Sequence, residues 1–242
     1  MIRRRTTYRL ALLLCLPAVM LMLCGMAAAQ PRLRAPEMYI GVHGGIEAST
    51  LLFSPKVDNM SPFTHGVTLG GDGGVVFRYA GHKVCGLQVE LNYMHRGWRE
   101  ELDGAVYQRH LHYLEVPFLM HLYFGQKSMV RGFLNLGPQI GVCVADQHGG
   151  TPLTSTGKQY NPIDSRFDWG LAAGLGMYVR TNKAGVYQLE VRANYSLGSP
   201  FSTRRTDYFQ QAAPLDVSLN LGWLWPLNRG KSKANNKNIQ NI

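Results

Sequence analysis

Apolar and polar residues alternate along almost the whole of this sequence, and no other feature constrains the fold as strongly. The segments LQVELNY (87–93) and LEVRANY (189–195) show the pattern most clearly, with an apolar residue at every second position. Successive side chains of a β-strand point to opposite faces, so the pattern predicts strands with one apolar and one polar face. We find no segment with a sustained helical period.

Eight segments with this alternation follow one another. They cover about residues 38–49, 67–79, 84–94, 111–124, 132–144, 168–179, 187–197 and 215–225. Each is longer than the roughly five or six residues that are usual in soluble sheets. About ten residues suffice for a tilted crossing of a bilayer, so strands of this length favour a membrane barrel.

The connections between these segments alternate between short and long. AGHK, GQKSMVR and TNKAG are the short ones, and residues 50–66, 95–110, 145–167 and 198–214 form the long ones. Short turns on one side and long loops on the other are typical of barrels of the outer membrane. The predicted fold is therefore an all-β, eight-stranded antiparallel up-and-down transmembrane β-barrel with short periplasmic turns and long extracellular loops. A soluble lipocalin-like barrel, with its apolar face inward, is the alternative.

The N-terminus has the pattern of a secretory signal peptide. RRR at 3–5 precedes a short apolar run, and AAA at 27–29 provides a cleavage site. We expect residues 1–29 to be a cleaved signal peptide, 30–37 a short periplasmic lead-in, 38–227 the barrel and 228–242 a basic, disordered tail. An uncleaved inner-membrane anchor is the alternative, but the apolar run is shorter than the roughly 20 residues that span a bilayer.

The net charge of +10 does not indicate a nucleic-acid partner. Four arginines lie in the predicted signal peptide and four basic residues in the predicted tail, and the remaining 17 basic and 15 acidic residues nearly balance. The expected partners are outer-membrane lipid and, through the long outer loops or the tail, other envelope proteins. We expect no nucleic acid and no cofactor.

Aromatic residues cluster near the predicted strand ends, as in the girdles at the two membrane interfaces of such barrels. Those expected at the periplasmic interface are Tyr39, Tyr79, Phe124, Phe133, Tyr187, Trp223 and Trp225. Those expected at the outer interface are Tyr93, Trp169 and Tyr195.

The polar face of the strands would line the barrel interior. The residues expected there, as a structural polar network, are Glu47, Gln88, Glu90, Asn92, Glu115, His121, Gln139, Asp168, Glu190, Arg192, Asn194 and Asp216. An eight-stranded barrel has an interior just wide enough for side chains to fill, and buried charges there must be paired. Arg192 is the one clear cation of the set. Its expected partner is Glu90, Glu115 or Glu190. A narrow conduit or a small-ligand site is the alternative use of the same residues.

We predict no catalytic site. Histidines 95, 110 and 112 and serines 196, 199 and 202 lie near the predicted outer rim, as in some lipid-modifying barrels. No G-x-S-x-G elbow or other nucleophile setting accompanies them. The protein is therefore expected not to be an enzyme.

Metal and disulfide sites are also not predicted. His110-x-His112 places two imidazoles on one face of a strand, a geometry that binds zinc only when a third ligand approaches. Cys85 and Cys143 remain after the predicted cleavage. We expect Cys85 to face lipid at the periplasmic end and Cys143 to face the interior at the outer end, about 30 Å apart and unpaired.

Several segments resemble the PorT-type outer-membrane β-barrels of the Bacteroidetes. They are GVHGGIEASTL (41–51), GLQVELNYMHRGW (86–98), YLEVPFLMHLYF (113–124), LNLGPQIGV (134–142) and DWGLAAGLGM (168–177). The resemblance implies an eight-stranded barrel in the outer membrane of a Gram-negative bacterium. It also implies a structural or interaction role, with an accessory part in type IX secretion and gliding machinery as the finer expectation. A small-solute conduit or a lipid-processing barrel is the alternative function.

Overall fold

The computed structural model describes residues 36–54, 64–81, 84–102, 105–124, 130–150, 160–181, 184–201 and 211–227. The predicted signal peptide, most of the lead-in and the predicted tail lie outside these residues. The strands are β1 Glu37–Ser54, β2 Thr64–Gly66, β3 Thr68–Ala80, β4 Cys85–Leu102, β5 Ala105–Phe124, β6 Val130–Gly150, β7 Phe167–Thr181, β8 Gly185–Ser196 and β9 Gln211–Pro226.

All strands pair antiparallel with their neighbours, and the sheet closes on itself. β1 pairs with β3 on one side and with β9 on the other, and the remaining strands follow in chain order. β2 and β3 both pair with β4 and are separated only by Val67, so together they count as one of the eight strands of the barrel wall. The predicted eight-stranded up-and-down barrel is confirmed.

The outer surface of this barrel is apolar. Ile46 and Leu221 are each 68 % exposed and Leu69 is 77 % exposed, and they belong to a belt of outward aliphatic and aromatic side chains. The alternate positions carry polar side chains that are buried inside. A lipocalin-like barrel has the opposite arrangement, so that alternative is wrong. Exposed apolar belts of this kind face hydrocarbon in membrane barrels. Among the described residues, no helix is long and apolar enough to cross a bilayer.

The connections after β3, β5 and β7, which the sequence predicted to be short, lie together at one end of the barrel. We call it the periplasmic end in accordance with the predicted orientation. At the opposite, outer end the strands are longer than the alternation predicts. β4 and β5 stay paired up to Leu102 and Ala105, where the sequence predicted a loop over 95–110. β6 likewise continues to Gly150. Beyond the hydrocarbon the outward face no longer needs apolar residues, so the pattern ends while the hydrogen-bonded ladder continues.

Most of the predicted girdle residues lie on the outward face. At the periplasmic end Tyr79, Phe124, Tyr187, Trp223 and Trp225 are exposed, and at the outer end Tyr93 and Tyr195 are exposed. Tyr39 and Phe133 are exceptions to the prediction, because both are buried in the barrel interior. Their positions have the same parity as His43 and Asn135, which also point inward. Proximity to a strand end was therefore a weaker guide than strand parity.

Candidate functional site

The barrel interior consists of three layers along its axis. At the periplasmic end, buried apolar side chains form a cluster that we call the periplasmic plug. Its members are Tyr39, Val76, Phe133, Tyr178, Val186 and Leu224, with Ala80 and Tyr123 packed against them. The rings of His121 and Phe133 stack with their centroids 4.8 Å apart, so the polar layer begins directly above this plug.

At the outer end a second apolar cluster, the outer plug, fills the mouth of the barrel. It comprises Leu51, Trp98, Leu111, Tyr113, Cys143, Phe201 and Ala212, with Ile163 against them. Phe201 and Ile163 do not belong to strands, so the chain segments after β6 and β8 contribute to this closure. Trp98 and Phe201 meet edge to face with ring centroids 6.0 Å apart.

Arg109 contacts the chain segment that lies above the outer plug. Its guanidinium lies over the rings of Trp98 and Phe201, at 5.6 and 5.5 Å, and donates hydrogen bonds to Asp146 and to the carbonyl oxygen of Asn161. Nearby, the Tyr160 hydroxyl donates to Glu100 at 2.7 Å. These contacts hold the segment that begins at residue 160 across the mouth of the barrel.

Tyr160 also packs edge to face on Tyr107, with ring centroids 4.7 Å apart. Both rings lie beyond the outer aromatic girdle. Burial raises the pKa of the Tyr107 phenol, so this contact stays uncharged at any physiological pH.

The middle layer of the interior is polar and is organised around three arginines. Arg192 on β8 donates hydrogen bonds to Glu90 on β4 at 2.5 and 2.8 Å. It also bonds Glu190 on its own strand, at 3.0 and 3.1 Å. Arg78 joins Gln88 and Gln188 at 2.6 Å each. Bonds of this kind span the barrel and tie non-adjacent strands together.

Arg96 is surrounded by four carboxylates. Its nitrogens lie 2.5 Å from Glu115, 2.6 Å from Asp216, 3.2 Å from Asp168 and 3.7 Å from Glu47. All of these side chains are buried. A charge without a counter-charge is costly in such surroundings, and carboxylates from β1, β5, β7 and β9 share the single positive charge of Arg96.

The structure places all twelve of the polar residues predicted for the interior in buried positions. Amide and imidazole groups connect the charged centres: Asn92 to Glu90 and His43, Asn135 to His121 and Glu190, Asn194 to Asp216. Glu47 and Gln139 make fewer hydrogen bonds within this polar layer. Neither carboxylate oxygen of Glu47 has a hydrogen-bond partner, and neither does the side-chain nitrogen of Gln139.

Sequence reasoning missed two of the three arginines. Arg78 alternates with Phe77 and Tyr79, so strand parity alone could have placed it inside. Arg96 has the parity of the inward Met94, but it falls in the segment that was predicted to be a loop. Arg192 is therefore one of several interior cations rather than the only clear one.

The serines and histidines near the outer rim are not brought together. Ser196 is fully buried and donates to Asp168 at 2.5 Å, and Ser199 donates to the carbonyl oxygen of Phe201. Ser202 lies outside the described residues. Histidines 95, 110 and 112 lie on the outward face of β4 and β5, on the other side of the barrel wall. The described residues thus contain no paired serine and histidine at this rim.

Neither of the two cysteines in the described part of the chain forms a disulfide. Cys143 faces inward within the outer plug. Cys85 has the outward parity of Leu87 but is only 5 % exposed, so the expectation that it faces lipid is wrong.

The chain matches a known family over most of its length. Residues 28–202 match the model of the outer membrane protein β-barrel domain. The chain belongs to this family. It is therefore an outer-membrane β-barrel protein, and its apolar outer surface and closed antiparallel sheet agree with this. Cleavage of residues 1–29 stays a prediction.

Several solved structures are similar to this member of the family. OprG of Pseudomonas aeruginosa is 14 % identical, with 78 % of this chain and 96 % of that chain covered and a TM-score of 0.44. Ail of Yersinia pestis, in complex with sucrose octasulfate, is 15 % identical, with 78 % of this chain and 99 % of that chain covered and a TM-score of 0.41. Outer membrane protein W of E. coli is 15 % identical, with 80 % of this chain and 100 % of that chain covered and a TM-score of 0.39. No curated protein sequence matches the chain.

Proposed function

We propose that this protein is a closed barrel with a structural or interaction role in the outer membrane, and that it does not conduct solutes. The filling of the interior carries this proposal. The periplasmic plug, the arginine-centred polar layer and the outer plug follow one another along the axis, and their central side chains are buried. A solute would have to displace several of these side chains and break buried ion pairs, which is costly.

The part of the protein available to partners would then be the outer extension of β4, β5 and β6. These strands continue beyond the outer aromatic girdle, and residues 146–150 of β6 are exposed. Arg99 and Glu101 form an exposed ion pair on the same extension. A rigid paired sheet suits recognition of another envelope protein, because little conformational entropy is lost on binding.

Electrical recording in planar bilayers would test the closed interior. We expect the purified wild-type protein to give no steady single-channel conductance. The conductance of Phe133→Ala, which removes a fully buried ring from the periplasmic plug, would be compared with that of Phe124→Ala. The second variant removes an exposed ring from the outer surface and serves as the control. Stable ohmic channels in the wild type would overturn the proposal and favour the small-solute conduit.

The interaction role needs a separate test. A photo-crosslinking residue at exposed Gln147, on the outer extension, should capture discrete envelope proteins in intact cells. The same residue at lipid-facing Leu175 is the matched control and should give none of these products. Identical products at both positions would argue against the outer extension as the partner surface.

A finer role, accessory to type IX secretion and gliding machinery, rests on the resemblance to PorT-type barrels alone. It would require that secreted cargo accumulates inside cells after deletion of the gene, and that the crosslinked proteins include machinery components. Unchanged secretion would eliminate it. We also propose that the barrel is not an enzyme; lipid A with an unchanged mass spectrum after deletion would agree with this, and a shifted spectrum would support lipid processing.

A further inference from the structure

Three histidines meet on the outward face of the barrel at its outer end. His110 and His112 lie two residues apart on β5, and His95 on β4 is directly opposite His112. The ring centroid of His95 is 4.9 Å from that of His110 and 4.8 Å from that of His112. The third imidazole that His110-x-His112 lacked in the sequence is thus supplied by the neighbouring strand.

We propose that His95, His110 and His112 bind one divalent transition-metal ion of the zinc, copper or nickel class at the outer surface. Imidazole nitrogen is a preferred ligand of these metals. Two histidines at i and i+2 of one strand, with a third from the adjacent strand, provide three ligands and leave one coordination position open to water or another ligand.

The spacing of the rings is compatible with a shared ion. At a metal–nitrogen distance of about 2 Å, an imidazole centre lies about 3 Å from the metal, and two such centres at a tetrahedral angle lie about 5 Å apart. The observed centroid separations of 4.8 and 4.9 Å are close to this value. The backbone of β4 and β5 therefore already holds the His95 ring at the required separation from each of the other two rings.

What has to change is the orientation of the rings. They are stacked, with interplanar angles of 18° and 27°, and the described residues contain no group of side chains arranged as a preformed metal site. The three histidines are only partly buried on the outward face, so the rings of His95 and His110 can turn about their side-chain bonds toward His112 without a change in the barrel. Binding would replace the stack by coordination.

Two nitrogen atoms in the cluster support this arrangement. The Tyr93 hydroxyl is hydrogen-bonded to Nδ1 of His112 at 2.8 Å, which fixes that ring and leaves its Nε2 as the ligand atom. Metal-bound histidines usually have such a second contact through their other nitrogen. Nδ1 of His110 is buried and has no hydrogen-bond partner, so the apo cluster contains a polar atom that coordination could satisfy.

Isothermal titration of tag-free protein in detergent micelles with zinc chloride would test the site. We expect one zinc ion per chain for the wild type. His110→Gln and His112→Gln should each weaken zinc binding at least about tenfold. His148→Gln, an exposed histidine of β6 outside the cluster, should leave it unchanged. Binding should also weaken at acid pH, because protonated imidazole cannot coordinate a metal.

Tyr93→Phe separates a metal site from a purely structural stack. It keeps all three ligands but removes the hydrogen bond to His112, so we expect weaker binding with the stoichiometry of one unchanged. The heat-modifiable gel shift of each variant would verify that the barrel is folded. An undetectable heat of binding in the folded wild type, or equal losses in His148→Gln and His110→Gln, would overturn the proposal.

Discussion

Arg192 on β8 and Glu90 on β4 form a two-point ion pair across the full width of the barrel. The two distances between guanidinium nitrogens and carboxylate oxygens are 2.5 and 2.8 Å. Four strand positions separate β8 from β4 in either direction around the closed sheet, so these strands are opposite each other. The pair therefore links two strands that no backbone hydrogen bond connects directly.

Arg192→Ala should lower the free energy of unfolding by about 3–5 kcal/mol, because it leaves Glu90 and Glu190 buried without their cation. Urea titration in lipid vesicles, followed by the heat-modifiable gel shift, would measure the loss. Arg99→Ala is a matched control. Arg99 pairs with Glu101 on the exposed extension, and we expect a loss of about 0–1 kcal/mol there. Similar losses in the two variants would contradict the structural importance of the buried pair.

Arg96→Gln should destabilise the barrel more at about pH 7.5 than at about pH 5. The variant leaves the carboxylates of Glu115 and Asp216 without their shared cation, and protonation at low pH removes the uncompensated charge. Unfolding midpoints of variant and wild type at the two pH values would give the difference. If the loss were the same at both, the carboxylates around Arg96 would not be the cause.

Gly174→Ala should destabilise the barrel by about 1–3 kcal/mol, because a methyl group there would overlap the carboxylate of Glu190 and displace it from Arg192. Gly149→Ala is the control, since no atom lies within 4 Å of the position its methyl group would take. Both variants can be followed by the urea titration used for Arg192. A neutral Gly174→Ala would show that the polar layer has room to rearrange.

Labelling of introduced cysteines would test the predicted orientation. Gln147→Cys, at the outer end, should react with a membrane-impermeant maleimide on intact cells. Leu227→Cys, exposed next to the end of β9, should react only after the outer membrane is permeabilised. The native Cys85 and Cys143 are buried and should contribute little background. The reverse labelling pattern would show that the barrel has the opposite orientation in the membrane.

Much of this structure is encoded in neighbouring residues. The alternation around Glu90 and Arg192 determined both the strands and the side of the sheet on which each residue lies, because side-chain direction in a strand has a period of two. The short connections similarly indicated which strands pair as hairpins. Strand number, inward parity and the apolar outer belt could therefore be predicted from local patterns.

Tertiary structure decided which interior residues meet. Arg192 reaches Glu90 only because the sheet closes. Closure with a given register shift around the barrel depends on all eight strands of the wall together. The same holds for the carboxylates around Arg96 and for Phe201 in the outer plug. His95 approaches His110 and His112 because β4 and β5 remain paired beyond the membrane, where the alternation no longer marks a strand. Such contacts depend on register and closure, and neither is written in any single segment of the chain.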